Sequence, residues 1–373
     1  MIHMEGYQTM KRKMILLAAL SLPLLFTSGC ATGSGGVPAA PETASEEQPR
    51  ASKPLIYLYA TEKGLADNST QTEEEAVKAI EKILRTEPVF RNLAEIRFRR
   101  PLPLDGKNLT AGECLKLARK IQAVLDKPEV SGIVITHNSN TLEDTAYFLN
   151  LLIRSEKPIV LVQTIPPVKT VTMESMLNFY NALAAAASPE SRGMGVLVSM
   201  NDTIYAARDA EKDSGDGSNS NRSGDFGPLG FIINGKPQYY YRTTRRHTAR
   251  TEFDLASIQE LPKVQTVYLY ADDSPLQILD WTKKGVRGIV VDCSGEGVLK
   301  PAIQNALKQA MKAGVVVVLA SRTGSAAEIP DGEIAKNAVL ENSLTPQKSA
   351  ILLMLALTRT SDPHLIQEYF KRY

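Results

Sequence analysis

A chain of 373 residues with 43% hydrophobic side chains can bury one large core or two ordinary ones, and domain-size priors favour two. A formal net charge of +2, the lack of a basic and aromatic cluster suited to a nucleic-acid groove, and the lack of a second apolar run long enough to span a bilayer argue against a charge-driven partner. No nucleic acid is expected.

In chain order, Lys11-Arg12-Lys13 precedes an apolar run from Met14 to Phe26 that ends in small residues before Cys30, the pattern of a secretory signal. Thr27-Ser28-Gly29-Cys30 resembles a bacterial lipobox, in which the cysteine becomes the first mature residue and carries lipid, although leucine is usual where Thr27 stands. Ala31 in place of aspartate leans the address to the outer membrane, facing the periplasm. The plainer alternative is an ordinary signal peptide with an incidental cysteine. Met10 opens MKRKMILL and is a natural start. Residues 1–29 therefore read as signal peptide, and 30–53, rich in Ala, Gly, Pro, Ser and Glu, as a flexible tether. Beyond Cys30 the only cysteines are Cys114 and Cys293, which read as two separate buried thiols rather than a disulfide.

The first strand is predicted over Pro54 to Ala60, a helix over Glu73 to Leu84 and a second strand over Ala94 to Phe98. Thr110-Ala-Gly-Glu113 is a capping box opening a helix to about Asp126. Gly132 to Thr136 is a β-branched run; Thr141 to Asp144 fits an N-cap with an acidic residue three positions on, leading a helix, and Pro158 to Val162 returns as a strand. That βαβ unit predicts a parallel sheet, with ligands at the carboxyl ends of its strands, where the turn His137-Asn138-Ser139-Asn140-Thr141 sits. A helix over Glu174 to Ala187 and a strand over Gly195 to Met200 follow. Arg208 to Gly224 reads as a long polar loop, and Tyr240 to Thr248 as strands closing the first domain.

Residues 54–248 form the larger domain, 249–263 the connection and 264–373 a smaller domain of the same α/β type. Strands are expected at Val264 to Tyr270, Gly288 to Asp292 and Val315 to Ala320, with a helix over Leu299 to Ala313. Thr345-Pro346 caps a last apolar helix, Gln347 to Thr358.

GIVITHNSNTLEDTAYFLNLL with KPIVLV, SPESRGMGVLVSMNDTIYAARDAEK, FGPLGFI, RRHT and LTPQKSAILLMLALTRTSDP together resemble, in order and at suitable spacing, the bacterial type II L-asparaginases and glutaminase-asparaginases. The resemblance covers nearly all of residues 54–373. It implies two parallel-sheet α/β domains, a homotetramer with sites between subunits, and hydrolysis of the side-chain amide of asparagine, often glutamine, through a threonine acyl-enzyme. The ligand would be a small amide or amino acid; no cofactor and no metal is expected.

The family's first motif, TGGTI, carries the nucleophile on its second threonine. Matched to LYATEKGLAD, it places Thr61 on the first threonine and Gly64, which has no side chain, on the nucleophile. The second motif, HGTDT, becomes HNSNT: Ser139 keeps a hydroxyl, while Asn140 replaces the aspartate that pairs with the substrate's α-ammonium. Lys212 matches the family's active-site lysine. Gly106 and Lys107 stand where a serine and glutamine contact substrate, Glu296 enters the GNGN-like turn, and Glu333 falls where a glutamate reaches the neighbouring subunit's site.

A vacant nucleophile position and a missing carboxylate predict a family scaffold with impaired or lost activity. The alternative is an active amidohydrolase using Thr61, or Ser69 or Thr70, with Ser139 and Lys212. A third reading takes Lys107 and Glu296 as selecting a different small amide.

Overall fold

The computed structural model describes residues 52–61, 73–99, 109–163, 173–212, 221–293, 298–321 and 333–373. The expected signal peptide, Cys30, most of the tether, and Gly64, Ser69, Thr70, Gly106, Lys107 and Glu296 lie outside them. Residues 52–373 belong to one compact unit.

In chain order the unit comprises β1 (Leu55–Ala60), α1 (Glu73–Thr86), α2 (Pro88–Leu93), β2 (Glu95–Arg99), α3 (Ala111–Leu125), β3 (Val130–His137), α4 (Leu142–Leu152), β4 (Ile159–Gln163) and α5 (Met173–Ala187). Next come β5 (Val196–Met200), β6 (Thr203–Ala206), β7 (Ala210–Lys212), β8 (Asn221–Ser223), β9 (Gly230–Ile233), β10 (Lys236–Tyr239), β11 (Val264–Tyr268), α6 (Leu276–Lys283) and β12 (Gly288–Cys293). The chain closes with α7 (Pro301–Lys312), β13 (Val316–Ser321), α8 (Glu333–Asn337), β14 (Val339–Leu340), α9 (Pro346–Ala356) and α10 (Pro363–Arg372).

Among the described residues, eight strands form one sheet in the order β10-β9-β6-β5-β4-β3-β1-β2. Its β2-β1-β3-β4-β5 half is parallel, and the β5-β6-β9-β10 half antiparallel. A second sheet, β11-β12-β13-β14, is wholly parallel. The mixed α/β architecture with two principal sheets, beside the two-stranded β7-β8 ribbon, is the expected one.

Every residue of β1 is buried, because helices cover both faces of a parallel sheet. Leu55, Tyr57 and Tyr59 pack with α3 and α4, whereas Ile56 and Leu58 pack with Phe90 and Phe179 on the opposite face. The first of these clusters runs on without a break into the small sheet. Leu352, Leu353 and Leu355 of α9 lie in it with Leu149 of α4 and with Val290, Val316 and Val318. Gly288 is small for that packing: a Cβ there would sit 2.6 Å from Leu353 Cδ2.

The capping box on α3 is present, with the Thr110 hydroxyl accepting from the Glu113 amide and the Glu113 carboxylate accepting from the Thr110 amide, and Thr345 caps α9 through the Lys348 amide. Cys114 and Cys293 are buried thiols that form no disulfide among the described residues.

Three expectations are corrected. The ends of the polar stretch from Arg208 pair as the antiparallel strands β7 and β8. The strands expected over Tyr240 to Thr248 lie earlier, as the β9-β10 hairpin, turned by Asn234 and Gly235 with φ of 52° and 73°. Thr141 stands at the N-cap of α4, but its hydroxyl does not cap the helix.

Candidate active site

β1 and β3 are parallel neighbours, Ala60 lying opposite Thr136, so their carboxyl ends bring Thr61 beside His137 although 76 residues separate them. The Thr61 amide and hydroxyl both donate to the Thr136 carbonyl, at 3.2 and 3.1 Å. The hydroxyl also lies 2.5 Å from His137 Nδ1. With its proton directed to Thr136, Thr61 Oγ1 accepts from Nδ1–H, so the imidazole is the Nδ1-protonated tautomer and Nε2 carries the lone pair.

Nε2 lies 3.0 Å from the hydroxyls of both Thr141 and Thr145, and Thr145 Oγ1 lies 3.9 Å from Cys114 Sγ. Thr141 therefore turns inward to the histidine. Thr61, His137 and Thr145 have no exposed surface. Burial pushes His137 down to about 4, which keeps it neutral, and pushes the Cys114 thiol up to about 12.

Asn138 fixes the turn by accepting from the Asn140 amide at 2.9 Å. Asn140 is exposed and Ser139 half-buried. Lys212, at the end of β7, donates from Nζ to Asn140 Oδ1 at 3.2 Å, and its amide donates to Glu143 Oε2 at 3.1 Å. Among the described residues, Ser139 makes no hydrogen bond with Lys212 or Thr61. Glu333 opens α8.

Sequence reasoning missed the groups beneath β7. The buried Lys348 of α9 donates to the carbonyls of Arg208 and Ala210 at 2.8 and 2.6 Å. Asp144, raised to about 6 by burial and then by Glu143, has an Oδ1 with no hydrogen-bond partner among the described residues. The signal for Lys348 was one cation near the start of an otherwise apolar helix, which folds only if the ammonium finds acceptors. The site thus holds one closed, neutral hydroxyl–imidazole network, and beside it a polar turn facing a lysine. Among the described residues, no group of three or more His, Cys, Asp or Glu side chains is placed to hold a metal.

Residues 58–245 match the family model for the asparaginase N-terminal domain, and residues 263–370 that for the glutaminase/asparaginase C-terminal domain. The chain belongs to the asparaginase family. It is 37% identical over 327 residues to L-asparaginase 2 of Escherichia coli strain K12, covering 86% of this chain and 93% of that one. It is 35% identical to L-asparaginase 2 of Bacillus subtilis strain 168, covering 89% of each. The solved structure of a probable cytoplasmic L-asparaginase from Campylobacter jejuni superposes with a TM-score of 0.78 at 35% identity, covering 86% of this chain and all of that one.

Proposed function

We propose that this asparaginase-family chain is an exported lipoprotein, anchored through Cys30 at the outer membrane and assembled as a homotetramer, whose hydrolysis of asparagine and glutamine is impaired or lost. The observation that carries the loss of activity is the state of Thr61. A threonine nucleophile needs a neighbouring base to take its proton. Here the hydroxyl donates its hydrogen bond to the Thr136 carbonyl and accepts from His137, both side chains being fully buried. Gly64, aligned with the family's nucleophile, offers no replacement, and loss of an activated nucleophile costs on the order of 10⁶ in turnover. Asn140 meets Lys212 as a neutral amide, without the charge that would hold a substrate ammonium. Export is supported by the amino-terminal signal pattern and by a 35% identical relative from Haemophilus influenzae named a probable periplasmic L-asparaginase.

Ammonia release from L-asparagine and L-glutamine by the purified protein, its tetrameric state checked by sedimentation, tests the reading. The expected result is turnover many orders below that of active relatives. One observation favours the alternative of a surviving amidohydrolase: Lys212 keeps an ammonium on the residue adjoining Ser139. Rapid turnover that is abolished by Ser139→Ala or Thr61→Ala would establish that alternative.

A further inference from the structure

We propose that the β2 edge of the large sheet is a membrane-docking face that takes the phosphate headgroups of anionic phospholipids. This rests on the exported, Cys30-anchored reading above. A groove of about 510 Å³ is lined there by Arg85 of α1, Arg91 of α2, and Arg97 and Arg99 of β2, with Glu81 and Glu95. Four arginines against two glutamates leave an excess of two positive charges. Arg97 is taken up by Glu95 at 3.0 Å, and Arg99 turns to the Phe98 carbonyl at 2.8 Å. The guanidiniums of Arg85 and Arg91 are exposed and, among the described residues, form no ion pair.

Charged side chains on an edge strand keep it from pairing with another sheet, which accounts for Arg97 and Arg99. It does not account for Arg85 and Arg91, which are on helices. What sets this face apart is where the chain enters the fold. Lys53 Nζ donates to the Arg91 carbonyl at 2.7 Å, so the end of the tether sits beside the groove. On the proposed anchoring, a chain of the length and composition of residues 31–53, which lie almost wholly outside the described residues, would reach about 25 Å and keep the groove near the bilayer at a high effective concentration. Val89, 51% exposed and two residues before Arg91, adds an apolar contact of the kind that enters the headgroup layer. Guanidiniums suit phosphodiesters, to which they donate in pairs.

The test uses the mature chain from residue 30 with Cys30→Ser, so that no acyl chain contributes. It is sedimented with vesicles of phosphatidylglycerol and phosphatidylcholine, or of phosphatidylcholine alone. Binding is expected with the anionic vesicles only, with loss at about 0.5 M salt. Arg85→Gln with Arg91→Gln weakens it about tenfold, whereas the charge-matched pair Lys308→Gln and Lys312→Gln on α7 leaves it unchanged. Equal binding to neutral vesicles, an equal loss in the α7 pair, no binding, or full competition by free glycerol phosphate would overturn the proposal. Mass spectrometry of the native protein tests the anchor separately: an unmodified Cys30 sinks the anchor, while selective vesicle binding still supports this face.

Discussion

Nδ1 of His137 donates to the Thr61 hydroxyl, which in turn donates to the Thr136 carbonyl. Thr61 is thereby a structural partner of the imidazole. Thr61→Val keeps the shape but leaves a buried N–H unpaired, and is expected to lower stability by about 1–3 kcal/mol. Urea unfolding reads this as a lower midpoint at unchanged slope, and ammonia release stays at its starting level.

Burial pushes His137 and His247 down to about 4 each. Between their ordinary pKa near 6.5 and about 4 the unfolded chain binds more protons, so their contribution to stability is full above pH 6.5 and is lost as the pH falls towards 4. For His137 the whole loss is on the order of 3 kcal/mol. Asp144, raised to about 6, has the opposite sign: it weighs against folding above pH 6, and acidification relieves it. Two imidazoles outweigh one carboxyl, so urea midpoints are expected to fall steadily from about pH 7 to pH 4.5. His247→Gln should make that fall shallower.

Asn140→Asp places a carboxylate where Lys212 Nζ now meets an amide at 3.2 Å. Gly64→Thr supplies a hydroxyl at the position proposed for the family's nucleophile. Neither change alone supplies both parts; together they are expected to raise ammonia release from asparagine by about 10²-fold or more over the parent chain, because catalytic groups acting as a unit are strongly non-additive. A double variant no better than its parent would show that the vacated position is not Gly64.

Burial lowers the affinity of the Lys348 ammonium for its proton, against the attraction of Glu143, Glu211 and Asp209. The ammonium is tolerated because the carbonyls of Arg208, ahead of β7, and Ala210, its first residue, receive it. Lys348→Met leaves both acceptors buried without it and is expected to cost about 2–4 kcal/mol. A thermal scan should show a midpoint lower by about 3–6 °C.

The features legible in the sequence were those whose partners are local or periodic. Thr110 and Glu113 are three residues apart and cap α3 as expected, and the apolar runs became the buried strands of both sheets. The β9-β10 hairpin has a local signal too: Asn234-Gly235 is a strong two-residue turn, following a short strand on which Phe231 and Ile233 alternate with buried positions. Asn201 and Asp202, with φ of 49° and 58°, likewise turn β5 into β6. The closed network could not be read this way. A hydroxyl 76 residues distant decides the tautomer of His137, and the same imidazole draws Thr141 away from the helix it was expected to cap. Resemblance pointed to Lys212 as a neighbour of the turn, but only the fold reveals Lys348 beneath β7.

Helix α9 belongs to the core of both sheets at once, with Leu352, Leu353 and Leu355 in one apolar cluster with Leu149 and Val290. Pulling either sheet away would expose that helix, so neither half has a free-energy minimum of its own. Calorimetry should record a single melting transition rather than two. The amides of Leu352 to Leu355 should exchange with deuterium only when the whole molecule opens, as the slowest protons in the chain.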